Sequence, residues 1–208
     1  MSVRIECIVV GRLETNCYLV FDEDTKEAII TDPGDNAQFI IEYAQKLGVK
    51  PVAVFLTHAH ADHILAMDEI RDYYDIPMYI NDKDVPLFLD GSRNFSKRDF
   101  SLREKDVVVY GGEHINVAGF NIEVIHTPGH TPGGTCYYFP EERFMLSGDT
   151  LFRRSWGRTD FPGGNAEDMA KSLWEKLLPL PEDTDVYPGH SKMTTIGNER
   201  IVHEYVEK

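Results

Sequence analysis

The feature that most constrains the fold of this 208-residue chain is residues 57–63, Thr-His-Ala-His-Ala-Asp-His, directly after an apolar segment. That segment, residues 52–56, is rich in β-formers and predicts a buried strand. Because side chains alternate along extended backbone, His58 and His60 point to the same side and can bind one metal ion. Asp62 and His63 come where the chain turns into a helix. Their different direction suits a second ion beside the first.

Three further segments repeat this arrangement of an apolar strand followed by turn residues and a polar side chain. They are Thr127-Pro-Gly-His130, Ser147-Gly-Asp149-Thr150 and Tyr187-Pro-Gly-His190. We therefore expect four loops to converge at one edge of the fold. The remaining three histidines lack this context and are expected to be ordinary polar residues: His114, His126 and His203.

The donor types indicate a catalytic metal centre. Imidazole nitrogen and carboxylate oxygen suit zinc, iron or manganese, whereas a structural zinc site usually contains cysteine thiolates. For any one of these histidines alone, a satisfied polar residue or helix cap is the better interpretation. For the whole spaced set we predict two divalent metal ions, with zinc first and iron or manganese as the other metals.

The hydrophobic pattern predicts an α/β fold. Residues 4–10, 16–21 and 27–31 form an antiparallel meander, residues 36–47 a helix capped by Asn36 and ended by Gly48, and residues 52–56 a strand. A second helix has its apolar stripe at Ile64, Met67, Ile70 and Tyr74. A strand at 78–80 and a helix at 83–89 follow. The polar stretch 90–104 is placed where it can cover the site.

The second half of the chain repeats this order. It predicts strands at 107–110, 114–117, 121–126, 135–139 and 144–147, a helix at 166–178, a strand at 185–187 and a terminal helix at 196–206. Two sheets flanked by helices on their outer faces would bury all the apolar stripes. We therefore expect a four-layer αββα sandwich that forms a single domain over residues 1–208.

The charge balance limits the partners. With 35 acidic and 21 basic residues, the net charge of −14 disfavours nucleic acid and anionic membranes. The N-terminus has neither a basic nor an apolar signal region, and the apolar stretches are too short for a membrane span, so a cytoplasmic location is expected. The three cysteines are widely spaced and are assigned to core packing. The sequence gives no indication of an oligomeric state.

The histidine run, together with Gly129-His130, Gly148-Asp149 and Gly189-His190, resembles the metallo-β-lactamase superfamily over most of the chain. The resemblance implies an αββα sandwich with two neighbouring metal sites. One site comprises His58, His60 and His130, the other comprises Asp62, His63 and His190, and Asp149 bridges them. It also implies that Asp32 supports the ligands from beneath, although a turn-forming role before Pro33 fits equally well.

A narrower resemblance concerns the substrate. Lactamases of the superfamily usually have cysteine where this chain has Asp149, which argues against that activity. Residues 148–152 and 157–164 are similar to short members of the glyoxalase II group, the hydroxyacylglutathione hydrolases. This similarity implies hydrolysis of small-molecule hydroxyacyl thioesters, such as lactoyl-glutathione, by a metal-bridging hydroxide oriented by the catalytic Asp62. Persulfide dioxygenases, with a mononuclear iron site, share a similar Gly-Arg-Thr-Asp-Phe segment and are the alternative.

One departure from the glyoxalase II pattern affects substrate binding. Classical members add a helical C-terminal domain with basic residues that bind glutathione, whereas this chain is expected to end soon after His190. The thiol carrier must then be bound elsewhere, and Arg153, Arg154 and Arg158 are the available cations. For Arg158, an internal ion pair with Asp160 is the competing interpretation.

Overall fold

The computed structural model describes residues 2–204 and contains two six-stranded sheets. In the first sheet the strands follow chain order: β1 (Val3–Val10), β2 (Thr15–Asp22), β3 (Glu27–Thr31), β4 (Lys50–Phe55), β5 (Met78–Asn81) and β6 (Val107–Val109). The first three strands pair antiparallel, as expected of a meander. From β3 to β6 the pairing is parallel.

The second sheet is built from β7 (His114–Val117), β8 (Phe120–His126), β9 (Thr135–Phe139), β10 (Phe144–Gly148), β13 (Asp185–Pro188) and β14 (Thr194–Thr195). Its spatial order is β14-β13-β10-β9-β8-β7, and β10 with β13 is its parallel pair. The strands β11 (Leu151–Phe152) and β12 (Ser155–Trp156) form a separate hairpin.

The helices are α1 (Ala37–Leu47), α2 (Ala61–Ile64), α3 (Met67–Tyr74), α4 (Val85–Phe88), α5 (Ala166–Lys171) and α6 (Ile196–Glu204). The side chain of Asn36 accepts the backbone N–H of Phe39 at the start of α1, and Gly48 ends that helix with φ 68°. None of the helices among residues 2–204 has the length and apolarity needed to cross a membrane.

Three hydrophobic clusters separate four layers. Phe55 of the first sheet and Tyr137 of the second meet in the central cluster, with ring centroids 4.6 Å apart. Ile40 of α1 and Ile70 of α3 pack on the outer face of the first sheet. Met169 of α5 packs on the outer face of the second sheet. The predicted αββα sandwich is therefore confirmed, because each sheet has a helix layer on the face away from its partner.

The elements differ from the predictions where neighbouring loops interrupt them. The predicted helix through residues 64–74 is divided into α2 and α3, because the backbone N–H of Ala66 donates to Pro33 in the adjacent loop. The predicted helix at 166–178 continues beyond α5 as a π-helical stretch, Ser172–Leu177. The hydroxyl of Ser172 donates a hydrogen bond to the carbonyl of Pro128. The two-residue strands β11, β12 and β14 were not predicted. The predicted end of the last helix lies outside the described residues.

Candidate metal centre

The strand ends place all seven predicted side chains at one edge of the sandwich. The histidine run follows β4, His130 follows β8, Asp149 follows β10 and His190 follows β13. Because β10 and β13 are parallel, the loops that carry Asp149 and His190 leave the sheet at the same end. The backbone of the first sheet also contacts the His190 loop, since Asn16 donates from its backbone N–H to the Gly189 carbonyl at 2.8 Å.

The donor atoms form three overlapping groups, in each of which all donors lie within 4.8 Å of one another. One group is His58, His60 and His130, another is His58, His63 and Asp149, and the third is Asp62, His63 and His190.

Asp149 reaches both halves of this cluster. One of its oxygens, Oδ2, lies 3.5 Å from Nε2 of His130 and 3.6 Å from Nε2 of His190. Its other oxygen, Oδ1, lies 3.5 Å from Nε2 of His63. A carboxylate in this position can contact ions on both sides of it. The geometry therefore suits the bridging role that the family resemblance implies.

The unpaired donors fit metal ions. The Nε2 atoms of His58, His60 and His63 and the Oδ1 atom of Asp149 are buried and have no hydrogen-bond partner among residues 2–204. A buried polar atom without a partner is costly, and most such atoms in folded proteins are satisfied. Nitrogen and carboxylate oxygen are the donor types that zinc and iron bind. The residues present therefore fit divalent ions at this position.

Hydrogen bonds outside the cluster orient its histidines. Nδ1 of His130 lies 2.7 Å from the Arg158 carbonyl, so a proton on Nδ1 directs Nε2 toward the cluster, where Nε2 lies 2.9 Å from Nδ1 of His60. Asp32 is buried, and its Oδ2 lies 3.0 Å from Nδ1 of His63. The supporting position expected of Asp32 is the one that the structure shows.

Asp84 was not identified from the sequence, and it connects two of the loops. Its carboxylate is buried and accepts hydrogen bonds from the N–H of Ala59 at 2.9 Å, the hydroxyl of Thr131 at 3.0 Å and the N–H of Gly133 at 2.7 Å. Ala59 lies between the first two histidines, and Thr131 follows His130. The Asn-Asp-Lys-Asp segment around Asp84 resembles an ordinary turn, so no local signal marked it.

Close approach at this edge requires glycine. A Cβ atom on Gly189 would lie 2.3 Å from Oδ1 of Asp149 and 2.8 Å from Cε1 of His63. A Cβ atom on Gly34 would lie 1.6 Å from the carbonyl oxygen of Asp62. Because any larger residue would displace a donor, the Gly-His and Pro-Gly pairs noted in the sequence serve close packing of the cluster.

Burial and charge set the protonation of the donor cluster. Burial lowers the pKa of His58 and lowers that of His60 to about 3, so both rings are neutral and can donate lone pairs. Burial would also lower the pKa of His63, but the charges of Asp149 and Asp32 outweigh it and raise this pKa to about 10. The two carboxylates thus stabilise positive charge at this position, either as the second proton of His63 or as a metal cation that displaces that proton.

A cavity of about 790 Å³ opens above the cluster. Its walls include Arg12, Phe95, Trp156 and Arg158 in addition to the candidate ligands. Of the three cations predicted for substrate binding, only Arg158 lines this cavity, and it forms the competing ion pair with Asp160 at 2.7 Å. Arg12 was missed, because a lone arginine in a turn has no distinguishing pattern. Phe95 belongs to the stretch 90–104, which was expected to cover the site.

Comparisons with known proteins agree with this architecture. The model of the metallo-β-lactamase superfamily matches residues 10–190. A probable metallo-hydrolase of Bacillus subtilis, YqgX, is 38% identical over 92% of both chains. The hydroxyacylglutathione hydrolase GloC of Haemophilus influenzae is 36% identical over 95% of both chains.

Two solved structures are also similar. The crystal structure of BLEG-1, described as a B3 metallo-β-lactamase, superimposes with a TM-score of 0.88 at 39% identity and covers 94% of this chain and 96% of its own. TTHA1623, solved in a di-iron-bound form, has a TM-score of 0.81 at 34% identity and covers 93% and 96%. The order of elements, the histidine run and these matches agree: the chain belongs to the metallo-β-lactamase superfamily.

Proposed function

We propose that the protein is a metal-dependent hydrolase that cleaves hydroxyacyl thioesters, such as lactoyl-glutathione, in the manner of glyoxalase II. The observation that carries this proposal is the cluster of seven donor side chains at the base of an open cavity, with four buried donor atoms left unpaired. The similarity to a hydroxyacylglutathione hydrolase over 95% of both chains supports the choice of thioester.

The seven side chains would hold two divalent ions. We assign His58, His60 and His130 to one ion, Asp62, His63 and His190 to the other, and Asp149 to both. Zinc is the first choice, and the di-iron form of TTHA1623 supports iron as the other candidate. Bound ions of this kind supply a hydroxide nucleophile at neutral pH and polarise the carbonyl group of a substrate.

Asp62 is the residue that we assign to orienting the nucleophile. Its Oδ2 accepts a hydrogen bond from the Thr15 hydroxyl at 3.0 Å and lies 3.3 Å from Nε2 of His190. The side chain is 24% exposed and lines the cavity, so it can accept a hydrogen bond from a reacting water. Burial would raise its pKa, but the hydrogen bond with His190 and the charge of His63 lower the pKa overall. Asp62 is therefore ionised and able to act as an acceptor.

A thioester suits a site whose lining, outside the candidate metal ligands, has few groups that can protonate a leaving group. Thiolates leave without prior protonation far more readily than amines do. Among the residues that line the cavity, Ser155 carries the one hydroxyl group. The chain therefore needs to orient the carbonyl and the nucleophile, while the carbon–sulfur bond breaks with little assistance.

Thiol release tests the proposal. The zinc-reconstituted protein should release glutathione from S-D-lactoylglutathione, measured with a chromogenic thiol reagent, and Asp62→Asn with equal metal content should release it much more slowly. Two parallel assays separate the other reactions of the superfamily. One measures oxygen uptake on glutathione persulfide by the iron-loaded protein, and the other measures opening of a chromogenic cephalosporin, because BLEG-1 is described as a lactamase.

The outcomes distinguish the candidates. Thiol release without oxygen uptake supports the thioesterase. Oxygen uptake at one iron per chain would instead support the persulfide dioxygenase, the group whose Gly-Arg-Thr-Asp-Phe segment residues 157–161 resemble. Cephalosporin hydrolysis without thiol release would overturn the sequence argument based on Asp149.

A further inference from the structure

The cavity above the metal centre gathers apolar side chains that are exposed to solvent. Leu13, Phe95 and Trp156 are 66%, 45% and 40% exposed, and all three line this cavity. They come from three separate segments: the turn between β1 and β2, the stretch 90–104, and β12. Single exposed apolar residues are common on protein surfaces, but several that converge on one concave site indicate a ligand.

An aromatic wall stands directly beside a candidate metal ligand. The ring of Phe95 lies 5.0 Å from that of Phe161 and 5.5 Å from that of His60, centroid to centroid. Phe161 in turn lies 5.6 Å from His60. The two phenyl rings therefore lie where a group attached to the reacting carbon or sulfur can contact them.

The backbone at Phe95 is held in an unfavourable conformation. Its φ of 67° is in the left-handed region, which is uncommon for a bulky residue. The preceding Asn94 is buried and fixes the loop, because its side chain donates to the carbonyls of Leu87 and Phe88 and accepts from the backbone N–H of Ser96. Strain maintained in this way is concentrated at ligand-binding positions in proteins.

The charges around the cavity do not match glutathione well. Apart from the candidate metal ligands, its charged lining residues are Arg12, Asp35 and Arg158. The guanidinium of Arg158 is already engaged, since two of its nitrogens donate to Asp160 at 2.7 Å and the group lies 3.9 Å from the centre of the Phe161 ring. Glutathione carries two carboxylates and one ammonium group, so one of its carboxylates would have to bind an arginine that already pairs with Asp160. Because a single exposed ion pair contributes little free energy, Arg12 and Asp35 form a weak site for such a carrier.

We propose that the thiol arm of the preferred thioester is apolar, an alkyl or aryl chain that packs against Phe95 and Phe161 within reach of Leu13 and Trp156. This inference rests on the proposed thioesterase function and identifies the class of carrier. The arm gains binding energy by removing the exposed apolar side chains from water, and that gain requires no additional charge in the cavity.

Three lactoyl thioesters with the same acyl group test the inference. The carriers are N-acetylcysteamine, N-hexanoylcysteamine and glutathione. The two cysteamine carriers are both uncharged and share the same atoms next to sulfur, so the leaving thiols are matched and only the apolar arm differs. We expect a KM about tenfold lower for the hexanoyl carrier than for the acetyl carrier, because part of the four additional methylene groups is removed from water.

Variants of the apolar residues that line the cavity test whether these residues cause the preference. Phe95→Ala should reduce the KM ratio of the two cysteamine carriers to below about threefold, and Trp156→Ala should reduce it independently. Phe39→Ala is the matched control, because Phe39 is 46% exposed on α1 and does not line the cavity. Its ratio should equal that of the wild type, and thermal unfolding identifies any variant that is misfolded.

The possible failures are distinguishable. If lactoyl-glutathione is cleaved but the KM of the hexanoyl carrier is not lower than that of the acetyl carrier, the inference of an apolar arm is wrong. The proposed thioesterase function is then retained. An advantage that Phe95→Ala and Trp156→Ala leave unchanged also overturns the inference, since the energy then comes from elsewhere. If none of the three thioesters is cleaved, the proposed function falls, and the inference falls with it.

Discussion

Nδ1 of His63 lies 3.0 Å from Oδ2 of Asp32, and this buried carboxylate also accepts hydrogen bonds from Thr57, from its N–H at 2.8 Å and its hydroxyl at 2.6 Å. A proton held between Asp32 and Nδ1 leaves Nε2 of His63 as the free nitrogen, directed at the other donors. Asp32 thus supports the donor cluster through His63 and through Thr57, which directly precedes the histidine run. Asp149, by contrast, is itself a member of the donor cluster.

This difference predicts unequal effects of two aspartate substitutions. Asp32→Ala should reduce metal affinity or kcat/KM by about 10- to 100-fold, the range typical of residues that support a ligand. Asp149→Ala should exceed that range, because it removes a group placed between both halves of the cluster. Metal content and thiol-release kinetics of both variants provide the measurement. Equal and mild losses would show that Asp149 does not bridge two ions.

The second prediction concerns metal stoichiometry. The three overlapping donor groups suit two adjacent ions that share Asp149, so reconstitution should approach two equivalents per chain. Removal of the ions by a chelator should lower the melting temperature, because ions that bind only the folded state stabilise it. Elemental analysis and thermal unfolding before and after zinc is restored measure both effects. A constant value of one equivalent would contradict the dinuclear assignment.

The sequence predicted the elements and the candidate ligands that have local signals. Strands β3, β7 and β9 have their predicted bounds, because Gly and acidic turns enclose short runs of β-formers. The histidine run was found because all its members lie within six residues. Asp84 was missed, because its partner Gly133 is 49 residues away and only the tertiary fold brings them together. Arg12 was missed for the same reason, since the cavity that it lines forms only when distant segments of the chain come together.

Asp84 provides the third prediction. Its removal by Asp84→Ala leaves the buried donors of Ala59, Thr131 and Gly133 without a partner, which should cost about 3 kcal/mol of unfolding free energy. For a chain of this size we expect a fall of roughly 6–12 °C in melting temperature, together with weaker metal retention. Asp82→Ala is the control, because Asp82 is partly exposed and pairs with Lys83 at 3.4 Å. Loss of activity with full stability and full metal content would instead indicate a direct contact with substrate.

Glu199 provides the fourth prediction, about the shape of the cavity. This buried residue of α6 accepts hydrogen bonds from the Arg154 N–H at 2.7 Å and the Thr194 hydroxyl at 2.6 Å. Arg154 lies at the turn of the β11–β12 hairpin, which carries Phe152 and Trp156 into the cavity wall. Glu199→Ala should therefore raise KM more than it lowers kcat, with partial recovery in Glu199→Gln. Glu175→Ala is the control, because Glu175 is exposed. An unchanged KM in Glu199→Ala would show that the hairpin does not affect substrate binding.

The last prediction separates the arginines by position. Arg12 lines the cavity and forms no ion pair within residues 2–204, whereas Arg153 is exposed outside the cavity lining. Arg12→Gln should therefore raise the KM for lactoyl-glutathione by about three- to fivefold, the upper part of the range for a single solvent-exposed ion pair, and Arg153→Gln should not.

The physical origin of this effect gives it two further signatures. Salt screens exposed charges, so the difference between wild type and Arg12→Gln should shrink at 0.5 M salt, roughly where the Debye length falls below 5 Å. The uncharged lactoyl thioester of N-acetylcysteamine lacks the carboxylates that Arg12 would bind, so its KM should change less than that of lactoyl-glutathione. Steady-state kinetics with both substrates at two salt concentrations measure this. An equal rise in KM for the charged and uncharged thioesters would show that Arg12 shapes the cavity and does not bind the carrier's carboxylates.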